Sequence, residues 1–416
     1  MSNKLRVLFV SEYFPPHTKG GGEISAYLLA KSLAKKIEVH VLTSGENDNG
    51  TDDITIHREL KTGEKPDSLA SNFRRLFFRS SVRARVKSFA DKNKPNILHC
   101  LNSTSLIGTV DARTNTKVVC HVNSPLFFCP KANLIRYKKK NGTACDLKRC
   151  GFQSFLKCFL KSPEFGKVKN RFYLKYNPFI QFYLWVNYNR YQKYINKVDH
   201  FIAVSSFMKQ KLISSGVNEN KISVIPNIID LSKFKKKKEK SERTRILFLG
   251  AYTEAKGAIL LLQALTGVKD YRANFYGDGQ LKKELSNFVE ENHMPVIING
   301  KVPGSKIPQI FAEHDIIVIP SIVPEAFGRN IIEAAASGTP YICSDIPAFL
   351  ETSKKGAGGL VFRTGDVKDL AKKLNSLVND KPLYNKKQKE AAMLEKGYKA
   401  EKIAGKVIKT YKELLK

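Results

Sequence analysis

Glu325 and Glu333 stand eight residues apart in the stretch PSIVPEAFGRNIIEAAASGTP (residues 320–340), with Gly328 between them. The run DIIVIPS reads as a buried strand, and NIIEAAAS as a helix closed by Gly338 and then Pro340. A helix that starts at Gly328 leaves the amides of Gly328, Arg329, Asn330 and Ile331 pointing outward, and such an end suits a phosphate. Glycine at 328 also lets the backbone approach a ligand. Glutamates beside a diphosphate are repelled by it, so they call for a neutral partner. Vicinal sugar hydroxyls supply one, because a carboxylate can accept from two at once. Without a ligand, Glu325 would merely complement the helix dipole. Glu333 would be a solvated charge, although Ile331, Ile332, Ala334, Ala335 and Ala336 surround it with apolar residues.

Three other places carry usable chemistry. In the loop KGGGE, Gly20, Gly21 and Gly22 sit where a strand ends and a helix begins, so backbone amides can approach a phosphate or an acceptor. The loop has neither a dinucleotide fingerprint nor P-loop spacing, which argues against a dehydrogenase or an NTPase. His121 ends the apolar run KVVCHV and so falls at the C-terminal edge of a sheet, where α/β proteins bind ligands; a lone histidine there is more often structural. Cys129, Cys145, Cys150 and Cys158 lie within 30 residues, but the pair at 145 and 150 is spaced slightly wide for most zinc sites and the outer two have no near partner. A structural metal, free thiols and a conditional disulfide all stay open.

Positioning these residues requires strand ends brought side by side. The chain has 416 residues, 42% of them hydrophobic, enough for two cores in two large domains. LRVLFVSEY, then the Gly-rich turn, then ISAYLLAKSLAKK reads as strand, turn, helix, and IEVHVLTS, ILHCLNS and KVVCHVNS continue the alternation. HFIAVSS, ISVIPN, RILFLGAY, RANFYGDG, PVIINGKV, DIIVIPS and PYICSD restart it. The expected organisation is an α/β N-terminal Rossmann-like domain over 1–198 with a Cys-rich basic insertion at about 126–198. A second Rossmann-like domain covers 199–395, and a closing helix over 396–416 packs on one of the two, the N-terminal one being the candidate. Gly397 and Gly405 are its weak points. Cys100, Cys120 and Cys343 fall in apolar strands and read as reduced core residues.

The stretch PEAFGRNIIEAAASGTP resembles the E-x7-E signature of retaining glycosyltransferases of family GT4, with flanking PS and GTP. The likeness runs along nearly the whole chain, through GGGE, HV at 121, VSS at 205, VIPNIID, LFLGAYTEAKG and YGDG in the family's order. It implies a GT-B fold, two Rossmann-like domains facing across a cleft, with a nucleotide-diphosphate sugar as donor bound mainly to the second and the acceptor to the first. By the same resemblance Glu333 holds the nucleotide ribose, Glu325 contacts the transferred hexose, and the backbone of Phe327, Gly328, Arg329 and Asn330 takes the diphosphate. Gly250, Gly21 and Gly22 complete the donor site. Lys256 matches the lysine on the leaving diphosphate, where a fixed cation stabilises developing charge; read alone, it is an ordinary exposed lysine. His121 falls where the family has a sugar-contacting histidine, and His99 where it has a structural one. The four clustered cysteines resemble a set found in some members. Ala251 departs from the pattern, since many members carry a phosphate-binding arginine there; Arg329 or the basic surroundings would have to compensate. No metal or other cofactor is implied.

The formal net charge of +33 calls for an anionic partner or reflects a Lys-rich composition. Between 131 and 197 the cations at 131, 136, 138, 139, 140, 148, 149, 157, 161, 167, 169, 171, 175, 190, 193 and 197 face only Asp146 and Glu164. Interleaved with RFYLKYNPFIQFYLWVNYNRYQKY, they suit an anionic membrane surface, or else a helix with aromatics in the core and charges in solvent. With no run of about 18 apolar residues and no signal-like N-terminus, the reading is cytoplasmic, peripheral at the inner face of the membrane. The expected function is hexose transfer to a lipid-linked or cell-surface glycan precursor. A basic nucleic-acid binder is the less favoured alternative, because it gives the glutamate, lysine and glycine set no task. An inactive GT-B partner subunit is the third.

Overall fold

The computed structural model describes residues 4–18, 20–45, 54–61, 69–131, 133–137, 142–145, 147–162, 175–234 and 242–416. The four consecutive lysines at 235–238, which repel one another and read as a solvated loop, and the cations at 138, 139, 140, 167, 169 and 171 with Asp146 and Glu164, lie outside these. Two parallel sheets carry the architecture. The first contains β1 (Arg6–Val10), β2 (Glu38–Ser44), β3 (Ile54–Leu60), β4 (Ile97–Cys100), β5 (Lys117–Val122), β8 (His200–Ala203) and β9 (Ile222–Val224) in the order β3-β2-β1-β4-β5-β8-β9. A short antiparallel hairpin, β6 (Ile135–Tyr137) with β7 (Gly142–Ala144), stands apart. The second sheet contains β10 (Thr244–Leu249), β11 (Tyr271–Tyr276), β12 (Val296–Ile298), β13 (Ile316–Ile319), β14 (Tyr341–Ser344) and β15 (Gly359–Phe362), ordered β12-β11-β10-β13-β14-β15.

Both sheets are buried on their two faces, which is why their strands read as unbroken apolar runs. In β1, Leu8 and Val10 enter one core and Val7 and Phe9 the other, because successive side chains leave a strand on opposite sides. In β10, Leu247 joins the core layer that also holds Leu8 and Val10, while Ile246 and Phe248 face away from it. One apolar layer thus runs from the first sheet into the second and holds the two against each other.

The structure moves the expected boundary. β8 pairs with β5, Val119 opposite His200 through Val122 opposite Ala203, and β9 pairs with β8, so 200–224 belongs to the first sheet rather than to a domain beginning at 199. The inserted segment interrupts the first unit instead of separating the two. Its long helix Pro178–Ile195 is the crossover leading into β8, with Tyr191 and Ile195 in the core. β15 escaped the sequence reading because its apolar run is brief and follows a cluster of glycines.

The helix Ala400–Leu414 crosses back to the first unit. Ile403, Ala404, Val407, Ile408 and Tyr411 pack with Val7, Phe9, Ala30 and Leu33, and the Tyr411 hydroxyl lies 2.5 Å from Nδ1 of buried His99. Tyr411→Phe keeps the packing and strips that ring nitrogen of its partner. It should cost about 1–3 kcal/mol, read as a lower midpoint in urea at unchanged slope. An unchanged midpoint would mean that the bond contributes nothing.

Candidate active site

In each sheet the strand order reverses between its first and fourth strands, at β1/β4 and at β10/β13. Loops leaving neighbouring strands in opposite directions open a crevice at the carboxyl edge. The loop after β10 carries Gly250 and Lys256, and the loop after β13 carries Ser321 and Glu325. Because β10 and β13 are direct neighbours, the two loops meet. Ile322 donates its amide to Ala255 O at 3.0 Å, which ties them. Gly257 permits the approach: at φ +70° it passes so close to Pro320 that a Cβ would sit 1.9 Å from the Pro320 carbonyl oxygen.

A pocket of about 160 Å³ results, lined by Gly250, Lys256, Ser321, Glu325, Phe327, Arg329 and Asn330 among others. Lys256 Nζ donates to Glu325 Oε1 at 2.8 Å, and the Ser321 hydroxyl donates to the same oxygen. Glu325 is therefore held through Oε1, and among the described residues no hydrogen bond engages its Oε2. Nothing in the sequence reading singled out Ser321, although it belongs to the flanking PS. Ala251 is exposed and offers no cation.

Glu333 is placed differently. It is only 3% exposed and lies beneath Arg329, whose Nε donates to its Oε1 at 2.7 Å. Burial pushes its carboxyl above the usual carboxylate range, and the Arg329 guanidinium pulls the other way. Arg329 Nη1 continues across the cleft to Gly21 O at 3.1 Å and Ser25 Oγ at 3.3 Å. Arg329 thus bridges the two units. Asn330 Nδ2 bonds Leu249 O at 2.9 Å and fixes the start of the helix Arg329–Ala336 against β10. Gly328 also has a packing role. A Cβ there would come within 3.1 Å of Thr352 Cβ and 3.2 Å of Phe349 Cδ1, so glycine is required by packing against the helix Pro347–Thr352.

On the first unit, Gly21 and Gly22 open the helix Gly21–Ala34, and Gly22, Ser25, His121, Asn123 and Asn227 line a smaller cavity opposite. His121 is buried, stacks on His99 at 5.6 Å between ring centroids, and has no completed hydrogen bond at either nitrogen; the Asn227 amide lies beside it. Burial lowers its pKa to about 4, so the ring is neutral at physiological pH. His99, hydrogen-bonded to Tyr411, has the structural place expected for it. The sequence reading assigned nothing to Ser25, Asn123 or Asn227, since single polar residues in loops carry no spacing signal.

The cysteines are all free thiols. Cys145 donates its amide to Leu134 O at 2.7 Å, and Cys158 Sγ lies 3.4 Å from Tyr137 N, so these two flank β6, while Cys150 donates its amide to the Tyr188 hydroxyl at 3.1 Å. Among the described residues no group of three or more His, Cys, Asp or Glu is set to hold a metal. Burial raises the Cys150 thiol to about 12. That makes it a poor donor as it stands.

Residues 230–395 match the family model Glycosyl transferases group 1, and residues 19–233, more than half of the chain, match Glycosyltransferase Family 4. The N,N'-diacetylbacillosaminyl-diphospho-undecaprenol alpha-1,3-N-acetylgalactosaminyltransferase of Campylobacter jejuni is 29% identical over 52% of this chain and 61% of its own. Across five curated relatives the chain spans 28% to 61% of their length. A glycosyltransferase from Rickettsia africae superposes with TM-score 0.71 at 21% identity over 100% of this chain and 99% of that one. Anabaena HepE in complex with UDP and glucose gives 0.68 at 17% over 98% and 99%. At these identities the structural likeness is one of fold, and it is the two-unit GT-B arrangement.

The neutral burial of His121 has a consequence for stability. Between its unfolded pKa of 6.5 and its folded value of about 4, the unfolded chain binds a proton that the folded one refuses. The contribution is full above pH 6.5 and is lost as pH falls toward 4, by at most about 3 kcal/mol. His121→Asn should lose about 2 kcal/mol less than the parent between pH 7.5 and 5.0 in urea titrations. Identical losses would remove His121 as a source of acid sensitivity.

Proposed function

The chain belongs to Glycosyltransferase Family 4, and from that premise we propose that it moves a hexose from a nucleotide-diphosphate sugar to a hydroxyl on a lipid-linked or cell-surface glycan precursor, with retention at the anomeric carbon. The observation that carries the reading is the 2.8 Å Lys256–Glu325 pair at the crevice of the second sheet. A cation and a carboxylate side by side match a ligand whose diphosphate adjoins neutral hydroxyls. The acceptor class is supported by the diphospho-undecaprenol in the name of the Campylobacter relative, and the donor class by the UDP bound to HepE.

In this reading the diphosphate lies along Gly250 and the backbone of Phe327, Gly328, Arg329 and Asn330, with Lys256 against its oxygens. Glu333, held beneath Arg329, accepts from the ribose diol through Oε2. Glu325 accepts from a hexose hydroxyl, and His121, neutral, donates to the sugar from the facing unit beside Gly21 and Gly22. Transfer proceeds on one face of the sugar: the bond from C1 to the diphosphate oxygen breaks and the bond from C1 to the acceptor oxygen forms. The acceptor proton passes to the departing diphosphate. Lys256 offsets the charge that grows there, so catalysis rests on positioning and leaving-group stabilisation. The place of action is the cytoplasmic face of a membrane.

A thermal-shift screen of nucleotide sugars identifies the donor, since a selective ligand stabilises the folded chain in proportion to its occupancy. With that donor, Glu325→Gln should lower kcat about 100- to 1,000-fold while the dissociation constant for the nucleoside diphosphate stays within about threefold. Glu333→Gln should show the reverse, weakened donor binding with a smaller loss in kcat. Equal losses of turnover and nucleotide binding in Glu325→Gln would overturn its assignment to the transferred sugar.

A further inference from the structure

The transfer chemistry has no use for the outer face of the helix Pro178–Ile195. Phe179, Phe182 and Tyr183 are 83%, 57% and 44% exposed, although they are large apolar side chains. At 100° per residue they share one stripe with Arg190 and Lys193 further along the helix and Lys197 just beyond it, all three exposed. The stripe is therefore aromatic at one end and cationic at the other, with Phe179 and Lys193 about 21 Å apart. Phe152, the first residue of the helix Phe152–Lys161, extends the aromatic end by stacking edge-on to Trp185, ring centroids 5.3 Å apart. At the cationic end, Lys148, Arg149, Lys193, Ser214 and Ser215 line an open cleft of about 290 Å³. Residues 147–162 and 175–197 contain eight lysines and arginines and no aspartate or glutamate.

We propose that this face docks on an anionic phospholipid bilayer, aromatics entering the interface and the basic cleft taking headgroup phosphates. The separation of the two chemistries identifies the partner. Single-stranded nucleic acid alternates bases and phosphates at each nucleotide and is met by interleaved rings and cations. A bilayer stacks its phosphate layer over its apolar layer, and a stripe divided lengthwise matches it. No helix among the described residues is long and apolar enough to cross a membrane, so attachment by this face is to the surface. The inference stands apart from the transferase reading, because docking needs neither donor nor acceptor.

Trp185 is the chain's single tryptophan and lies between Phe152 and Phe182, a built-in reporter. The full chain is mixed with vesicles of phosphatidylcholine alone or with half phosphatidylglycerol, and with single-stranded RNA. Co-sedimentation with the anionic vesicles only, with Trp185 emission shifted to the blue and quenched by brominated acyl chains, supports the proposal. R190Q/K193Q/K197Q should reduce partitioning about a hundredfold at low salt. F179S/F182S/Y183S should abolish the blue shift, circular dichroism confirming that both variants fold. Absence of vesicle binding overturns the proposal, as does salt-sensitive RNA binding without vesicle binding, or variants that partition like the parent.

Discussion

Everything at the site depends on where two strands stand next to each other. β10 and β13 are adjacent in space but far apart in the chain, and the loops leaving their carboxyl ends are forced into contact. Lys256 and Glu325 are paired because the strand order leaves them no other place, not because either seeks the other from a distance. Gly257 makes the contact close enough for a 2.8 Å bond. Exchange of that one residue for a larger one would push the loop off Pro320 and take the ammonium away from the carboxylate, with neither charged residue altered.

The second constraint is Arg329. One guanidinium serves Glu333 beneath it and Gly21 and Ser25 across the cleft. A buried carboxylate without that partner would protonate and lose its value as an acceptor for two hydroxyls. The bridge thus does two things at once: it opposes the protonation that burial favours at Glu333 and holds the units at their present distance. The Ser206 amide and hydroxyl, bonded to the two carboxylate oxygens of Glu351 at 2.7 and 3.1 Å, add a second polar tie between the units. Both ties are exposed or partly exposed hydrogen bonds, weak enough individually to exchange for ligand contacts. A shared apolar layer and the returning helix Ala400–Leu414 keep the units together meanwhile.

The two-sheet architecture was legible in the sequence, because strands buried on both faces leave long apolar runs that no other element produces in alternation with amphipathic helices. The glutamate pair was legible through its spacing around a helix start, whereas Lys256 stood out only through the family resemblance. The boundary near 199 was not, since strand pairing is a long-range choice and a basic, aromatic insertion resembles a linker more than a crossover. The packing demand at Gly328 was hidden for a related reason: local pattern shows that a glycine is needed, while only the folded chain shows that it makes room for Phe349 and Thr352. The bridge made by Arg329 was illegible because its partners, Gly21 and Ser25, lie some 300 positions away.

The distribution of charge separates the work of the pocket from the work of the surface. The pocket engages Lys256 and Arg329, each already paired with a glutamate, so its local balance is close to neutral and cannot account for a chain of +33. Paired charges at the crevice favour a ligand that brings a few negative charges to a defined place. Charges spread along a helix face favour a partner with many, distributed over an area and met without fixed geometry. The acid-free helices 152–161 and 178–195 belong to the second kind. Their exposed rings add what charge alone lacks, a reason to stay once electrostatic attraction has brought the chain to a surface.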